Sequence, residues 1–150
     1  MVGENAVRHP EIVERIRREG HSIGNHTYHH LKGFRVCTGT YLQNIELADR
    51  VLQTRLFRPP YGRMRYSEKR AVRQAGYSIF LWDVLTHDYN ASYTPEHLMD
   101  IVRHYARNGS VITFHDSIKT QERLFAALPR VIEWLQGEGY QCCALPQPAV

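Results

Sequence analysis

The chain has 150 residues, 43% of them hydrophobic and 23% charged, which is the range of a folded globular domain and excludes a disordered or collagen-like chain. That length suits one domain, 1–150, and no apolar run approaches the ~18 residues of a membrane helix. Lys and Arg number 19 against 15 Asp and Glu, a net charge of +4, and sixteen of the nineteen cations are Arg.

In chain order, short apolar runs alternate with amphipathic helices. His9-Pro10 opens a first helix, with Ile12, Val13 and Ile16 as its apolar stripe and Gly20 as its stop. His21 to Asn25 reads as a short strand entering a loop. Thr40 caps a second helix carrying Leu42, Ile45, Ala48 and Leu52 on one face. Leu56-Phe57-Arg58 is a strand stopped by Pro59-Pro60. Ser67 caps a third helix ending at Gly76, and Tyr77 to Trp82 is a strand rich in aromatic and aliphatic residues. Thr94-Pro95 starts a fourth helix with Leu98, Ile101, Val102 and Tyr105, stopped at Asn108-Gly109. Ser110 to Phe114 is a strand, Glu122 to Gln136 a fifth helix bent at Pro129, and Tyr140 to Leu145 a last strand before a tail with Pro146 and Pro148.

Strand–helix alternation argues for an α/β fold with parallel pairing, as barrel or open sheet. In both, chemistry gathers at the C-terminal ends of strands. Four such ends carry ionisable residues: His26 and His30, Arg58 and Tyr61, Asp83 and Asp88, and His115-Asp116.

His26 and His30 are four apart, which on a helical turn sets two imidazoles on one side to grip one cation. The alternative is a polar loop with scattered His. Thr27 can hydrogen-bond within the loop, and His29 points elsewhere if the other two converge. Arg58-Pro59-Pro60-Tyr61-Gly62 is a rigid corner that can aim the Tyr61 N–H at a substrate oxygen, with Arg58 suited to a carboxylate. The alternative is a structural turn. His115 leaves an apolar strand and can act as a general acid tuned by a carboxylate such as Asp88, or be structural. Cys37, Cys142 and Cys143 read as ordinary thiols without zinc spacing. The cluster Arg63, Arg65, Lys69, Arg70 and Arg73 reads as a solvated helix face, because Glu68 is interspersed and no nucleic-acid-binding motif accompanies it; the alternative is a nucleic-acid patch.

Taken together these segments resemble the polysaccharide deacetylases, the NodB-homology domain of carbohydrate esterase family four. The segments are Gly-His-Ser-Ile-Gly-Asn-His-Thr-Tyr-His-His from Gly20, Arg-Pro-Pro-Tyr-Gly from Arg58, Trp82-Asp83 through Asp88-Tyr89, and Phe114-His115-Asp116. Val2-Gly3-Glu4-Asn5 looks like the end of that family's second strand. The resemblance implies an incomplete, distorted (β/α) barrel and a divalent cation, zinc or cobalt, held by two His and one Asp. His26 and His30 match the two His. By the same resemblance Tyr61 N–H supports the oxyanion, His115 protonates the leaving amine, Asp88 pairs with it, and Arg58 orients the base. Asp116 is supporting.

Three departures stand out. Tyr89 takes a place where the family usually has Trp on a groove wall, and Thr113 a place where it favours Leu beside the acetyl group. No Asp precedes Asp49, so the family's aspartate pair, base and third ligand, is not found in this sequence. The barrel is then expected to lack its first strand and helix, the metal to bind weakly, hydrolysis to be slow or absent in this chain, and an exposed sheet edge to invite self-association. The implied reaction is removal of N-acetyl groups from an amino-sugar polysaccharide or oligosaccharide. The alternatives are a non-catalytic carbohydrate-binding or interaction module and an amide hydrolase for a small non-sugar substrate. A glycan is the expected partner, with neither nucleic acid nor membrane. A start at Met1 implies the cytoplasm, and an internal start leaves export open.

Overall fold

In a computed structural model, residues 1–146 are described, and they divide into two compact units, 1–81 with the residues from 144 on, and 82–143. Pro148 of the tail lies outside the described residues.

The first unit opens with α1 (Gly3–Arg8) and α2 (Pro10–Arg18). Pro10 sits in the first turn of α2, where no intrahelical N–H is required. Val13 is its buried residue, whereas Ile12 faces solvent. Next come α3 (Thr38–Leu52), β1 (Leu56–Phe57), α4 (Tyr66–Gln74) and β2 (Ser78–Ile79). Tyr41, Ile45, Ala48 and Leu52 recur every three to four residues on α3 and are all buried. This stripe divides between two apolar clusters: Ala48 and Leu52 meet Ala6, Val13 and Ile23, while Tyr41 and Ile45 meet Phe57, Val72 and Tyr77. β1 and β2 run parallel, Leu56 opposite Ser78 and Phe57 opposite Ile79, and Asn25 adds one parallel bridge to Phe57.

The second unit holds β3 (Val84–Leu85), α5 (Pro95–Tyr105), β4 (Ile112–Thr113) and α6 (Gln121–Gly137). Thr94 caps α5, its hydroxyl accepting from the His97 N–H at 3.2 Å. Met99 and Val102 of α5 pack on Val131 and Leu135 of α6. β3 and β4 are parallel, Val84 opposite Ile112. Pro129 lies inside α6, where its ring removes one donor without ending the helix.

Several expectations are corrected. Gly3–Arg8 is helical, not the end of a strand. Its Gly3 is buried where a Cβ would come within 2.7 Å of the Tyr28 ring and 2.9 Å of Ala48, a closeness no sequence pattern reports. α3 and α4 begin earlier than expected, at Thr38 and Tyr66, with Cys37 and Arg65 at the cap positions. The strand foreseen from Tyr77 to Trp82 is confined to β2, and β3 follows as a separate pair. Residues 140–145 form no strand, and the exposed Cys142 and Cys143 carry no strand alternation. α5 ends at Tyr105, before Asn108-Gly109, and Tyr105 is exposed rather than part of its buried stripe.

Candidate functional site

The sequence-predicted site residues fall into two groups, one in each unit. The first is built on the loop after Asn25. Asn25 is buried, its amide donating to the Ile45 carbonyl at 2.9 Å and its Oδ1 accepting from the Thr27 N–H at 2.9 Å. Thr27 and His30 both take left-handed backbone angles, φ 63° and 53°. The Thr27 hydroxyl accepts from the Leu31 N–H at 2.8 Å and closes the turn. So the two histidines converge through a left-handed loop, not through the helical turn their spacing suggested. Their ring centroids are 4.9 Å apart at 65°. His29 turns away, against the Tyr28 ring and 3.6 Å from Glu4.

His26 is held by the next element. Its Nδ1 lies 2.6 Å from the Arg58 carbonyl. That carbonyl can only accept, so Nδ1 carries the proton and Nε2 keeps its lone pair. Burial pushes the imidazole pKa down to about 4, against the opposing effect of this hydrogen bond, and the ring stays neutral at neutral pH. The Arg58 guanidinium donates to the Phe80 and Leu81 carbonyls, at 3.5 and 3.0 Å. Burial also lowers the Arg58 pKa. At the proline corner, Tyr61 has φ 61°, and its half-exposed ring lies 5.0 Å from that of His30. The Lys32 ammonium stands 4.5 Å over the Tyr61 ring.

The second group is built on the loop ends of β3 and β4. Asp88 is fully buried. Its Oδ1 meets His115 Nδ1 at 2.6 Å, and its Oδ2 accepts from the His115 backbone N–H at 2.6 Å. That two-point grip fixes both the ring and the backbone, and holds the proton on Nδ1. The Tyr89 ring lies 5.1 Å from His115, and its hydroxyl 2.7 Å from His87 Nδ1. Thr113 is buried on β4, and its carbonyl accepts from the Thr86 hydroxyl at 2.9 Å. Asp116 is exposed. Asp83 is a correction: it precedes β3 rather than following a strand. Its carboxylate accepts from the Val111 N–H at 2.6 Å and the Ser110 hydroxyl at 3.0 Å, bonds that hold its pKa below the usual range. It ties two segments together rather than facing substrate.

Two positioning residues escaped the sequence reading. Asn44 of α3 accepts through Oδ1 from the Tyr28 and His29 N–H groups, at 2.9 and 3.2 Å. Arg123 of α6 donates to the Asp88 carbonyl at 2.8 Å. Both look like ordinary polar helix positions, and only tertiary contact reveals them.

As a metal centre, the first group offers two imidazoles, that of His26 neutral, donors suited to zinc or cobalt. Among the described residues no group of three His, Cys, Asp or Glu side chains could hold a metal ion. The donors fit such an ion as two members of a larger set.

Known proteins bear on this geometry. A peptidoglycan-N-acetylglucosamine deacetylase of Bacillus cereus is 29% identical over 150 residues, 94% of this chain and 69% of that protein. A second from the same organism is 30% identical over 97% of this chain, and chitin deacetylase 2 of Saccharomyces cerevisiae is 29% identical over 87%. The chain spans about half the length of these last two, 55% and 46%. Among solved structures, a peptidoglycan N-acetylglucosamine deacetylase superposes with a TM-score of 0.91 at 30% identity, over 97% of this chain and 71% of that one. A family 4 carbohydrate esterase from Streptomyces lividans, bound to acetate, superposes with a TM-score of 0.81 at 26% identity, over 92% and 72%. The profile described as polysaccharide deacetylase matches residues 1–80, which contain the histidine loop and the Arg58 corner, and on that match the chain belongs to the polysaccharide deacetylase family.

Proposed function

We propose that this chain serves the metal-assisted hydrolysis of N-acetyl groups on an amino-sugar polysaccharide or oligosaccharide. The observation that carries this reading is the pair of imidazoles 4.9 Å apart, His26 anchored through Nδ1 to the Arg58 carbonyl, in a chain whose relatives are named peptidoglycan and chitin deacetylases. His26 and His30 would hold a divalent cation, zinc or cobalt. When bound, that ion polarises an amide carbonyl and activates water.

The chain's own groups take the roles other than that of the base. The Arg58 carbonyl fixes the His26 tautomer so that Nε2 keeps its lone pair for a cation. The Tyr61 N–H, on a corner preset by two prolines, supports the oxyanion. His115, its Nδ1 held by Asp88, delivers a proton from Nε2 to the leaving amine as the C–N bond breaks, giving acetate and a free amino sugar. Tyr89 and Thr113 line the substrate, and Arg58 would orient a carboxylate base, which is not found in this sequence. The 1–150 span acts as one domain of this fold, an incomplete barrel.

Glycan binding without turnover is a second reading. It is favoured by the lack of a third metal donor among the described residues. One experiment separates the two. Acetate release from N-acetylglucosamine oligomers is measured with zinc and with cobalt, for this chain and for a version extended upstream with an aspartate pair. Release in either supports hydrolysis. Inactivity of both in both metals, with oligomer binding retained, supports the second reading. Zinc stoichiometry should fall in His26→Ala and in His30→Ala, and unchanged stoichiometry in both removes the ligand assignment.

A further inference from the structure

Charge in the first unit is distributed unevenly. From Leu31 to Ile45 there is no Asp or Glu, and from Tyr61 to Phe80 the sole acid is Glu68. The same two stretches hold Lys32, Arg35, Arg63, Arg65, Lys69, Arg70 and Arg73. They meet in space. Arg65 donates to the Gly33 carbonyl at 3.3 Å and to that of Val36, and the Thr38 and Ser67 hydroxyls are 3.3 Å apart. Glu68 cannot offset this charge outward, because it is fully buried and taken by Arg65 at 2.7 Å.

Arg35, Arg63, Lys69, Arg70 and Arg73 are exposed, and among the described residues none forms an ion pair. Elsewhere several cations are paired. Glu96 takes Arg103 at 2.9 Å and Arg130 at 2.5 Å, and Glu19 takes Arg15 at 2.8 Å. An uncompensated face of one sign raises the local concentration of the opposite sign and costs self-repulsion when empty.

We propose that this face binds the carboxylates of an acidic amino-sugar polymer, so that the chain selects charged glycan over neutral glycan. The inference rests on the reading of the histidine loop as the reacting end. Lys32 joins the two: its ammonium lies over the Tyr61 ring, and that ring lies 5.0 Å from His30. A polymer with one sugar at the histidines is carried past Lys32 onto the cations of α4. The side chains of Tyr61 and Tyr66 are exposed there, offering apolar faces for sugar C–H groups. Single exposed ion pairs contribute little, so the preference must come from several acting together and must fade with salt.

The test is cosedimentation of the intact chain, without added metal, with three insoluble polymers. These are peptidoglycan sacculi, the same sacculi with their carboxyls amidated by carbodiimide and ammonia, and chitin. Sacculi should bind about tenfold tighter than either neutral polymer in about 50 mM NaCl, and the advantage should disappear in about 500 mM NaCl. Arg70→Glu/Arg73→Glu should lose that advantage while keeping its thermal midpoint, and Arg70→Gln/Arg73→Gln should lose part of it. Equal binding to all three polymers, or unchanged preference in both variants, overturns the proposal. Duplex DNA displacing the chain from sacculi at a lower charge concentration than soluble glycan fragments also overturns it, in favour of nucleic acid. Binding is read without turnover, so failed acetate release leaves this result standing, and lost preference leaves the deacetylation assay untouched.

Discussion

Asp88 shows how one side chain can carry both structure and chemistry. Its carboxylate is fully buried, and both oxygens are occupied by the backbone and ring of His115. Removing it leaves the part-buried His115 N–H unpaired, whereas Asn can still accept at one point. Asp88→Ala should therefore cost about 2–4 kcal/mol in urea unfolding, and Asp88→Asn markedly less. In a form that turns over, Asp88→Asn should lower the rate by about a hundredfold or more, because the ring loses the charge that supports its protonated state. A small rate effect with large destabilisation would mark Asp88 as structural alone. The pairing of Asp88 with His115 was legible from order along the chain. The hold of Arg123 on the Asp88 carbonyl was not, since an Arg on a helix surface carries no signal of its partner. The histidine pair was legible from spacing, but the route was misread. Four-residue spacing also fits a loop with two left-handed residues, and Thr27, being β-branched, is not a type that advertises a positive φ.

Elements went wrong where close packing, not periodicity, decides. Gly3 begins α1, and the first amides of that helix donate to the histidine loop: Gly3 N–H to the Thr27 carbonyl and Glu4 N–H to that of Tyr28, both at 3.0 Å. Glycine in a helix is normally worse than alanine by about 1 kcal/mol, so Gly3→Ala ought to help if the site were open. It is not open. The added Cβ would sit 2.7 Å from the Tyr28 ring, 2.9 Å from the Ala48 Cβ and 3.0 Å from its Cα, and Ala48 cannot swing aside. Overpacking should win, with a net loss of about 1–3 kcal/mol in urea unfolding and weaker zinc retention, since the displaced α1 carries the loop with it. A gain in stability would show that α1 yields freely. Long periodic helices such as α3 and α6 were readable because an apolar stripe survives small errors at their ends. Two-residue strands were placed only roughly, because so short a segment carries little alternation to read.

At the scale of the whole molecule, these local environments set the response to acid. His26 is neutral in the fold, its pKa pushed from 6.5 down to about 4 by burial, and in the unfolded chain it returns to its ordinary value. Between those two values the unfolded state binds more protons than the folded one, so stability rises with pH and is lost as pH falls. The full contribution is present above about pH 6.5, and at its limit, below the folded value, roughly 3 kcal/mol is gone. Asp83, Glu19 and Glu96 act in the same sense at lower pH. Hydrogen bonds from Val111, Arg15 and Arg130 respectively hold their carboxyl pKa values down, and their support is present above the ordinary carboxylate range and lost as pH falls through the lowered values. Acid unfolding should then come in two stages. Urea midpoints measured without metal should begin to fall below about pH 8 through the buried Met1 ammonium, whose pKa is pushed down to about 6, steepen near pH 6.5 as His26 begins to titrate, and fall further below about pH 4. His26→Gln, which cannot be protonated, should remove the steepening near pH 6.5 and leave the second stage. A wild-type profile level from pH 7 to 5, or an unaltered slope in His26→Gln, would mean that the ring is not desolvated in solution and that the neutral donor inferred at Nε2 is not enforced by the fold.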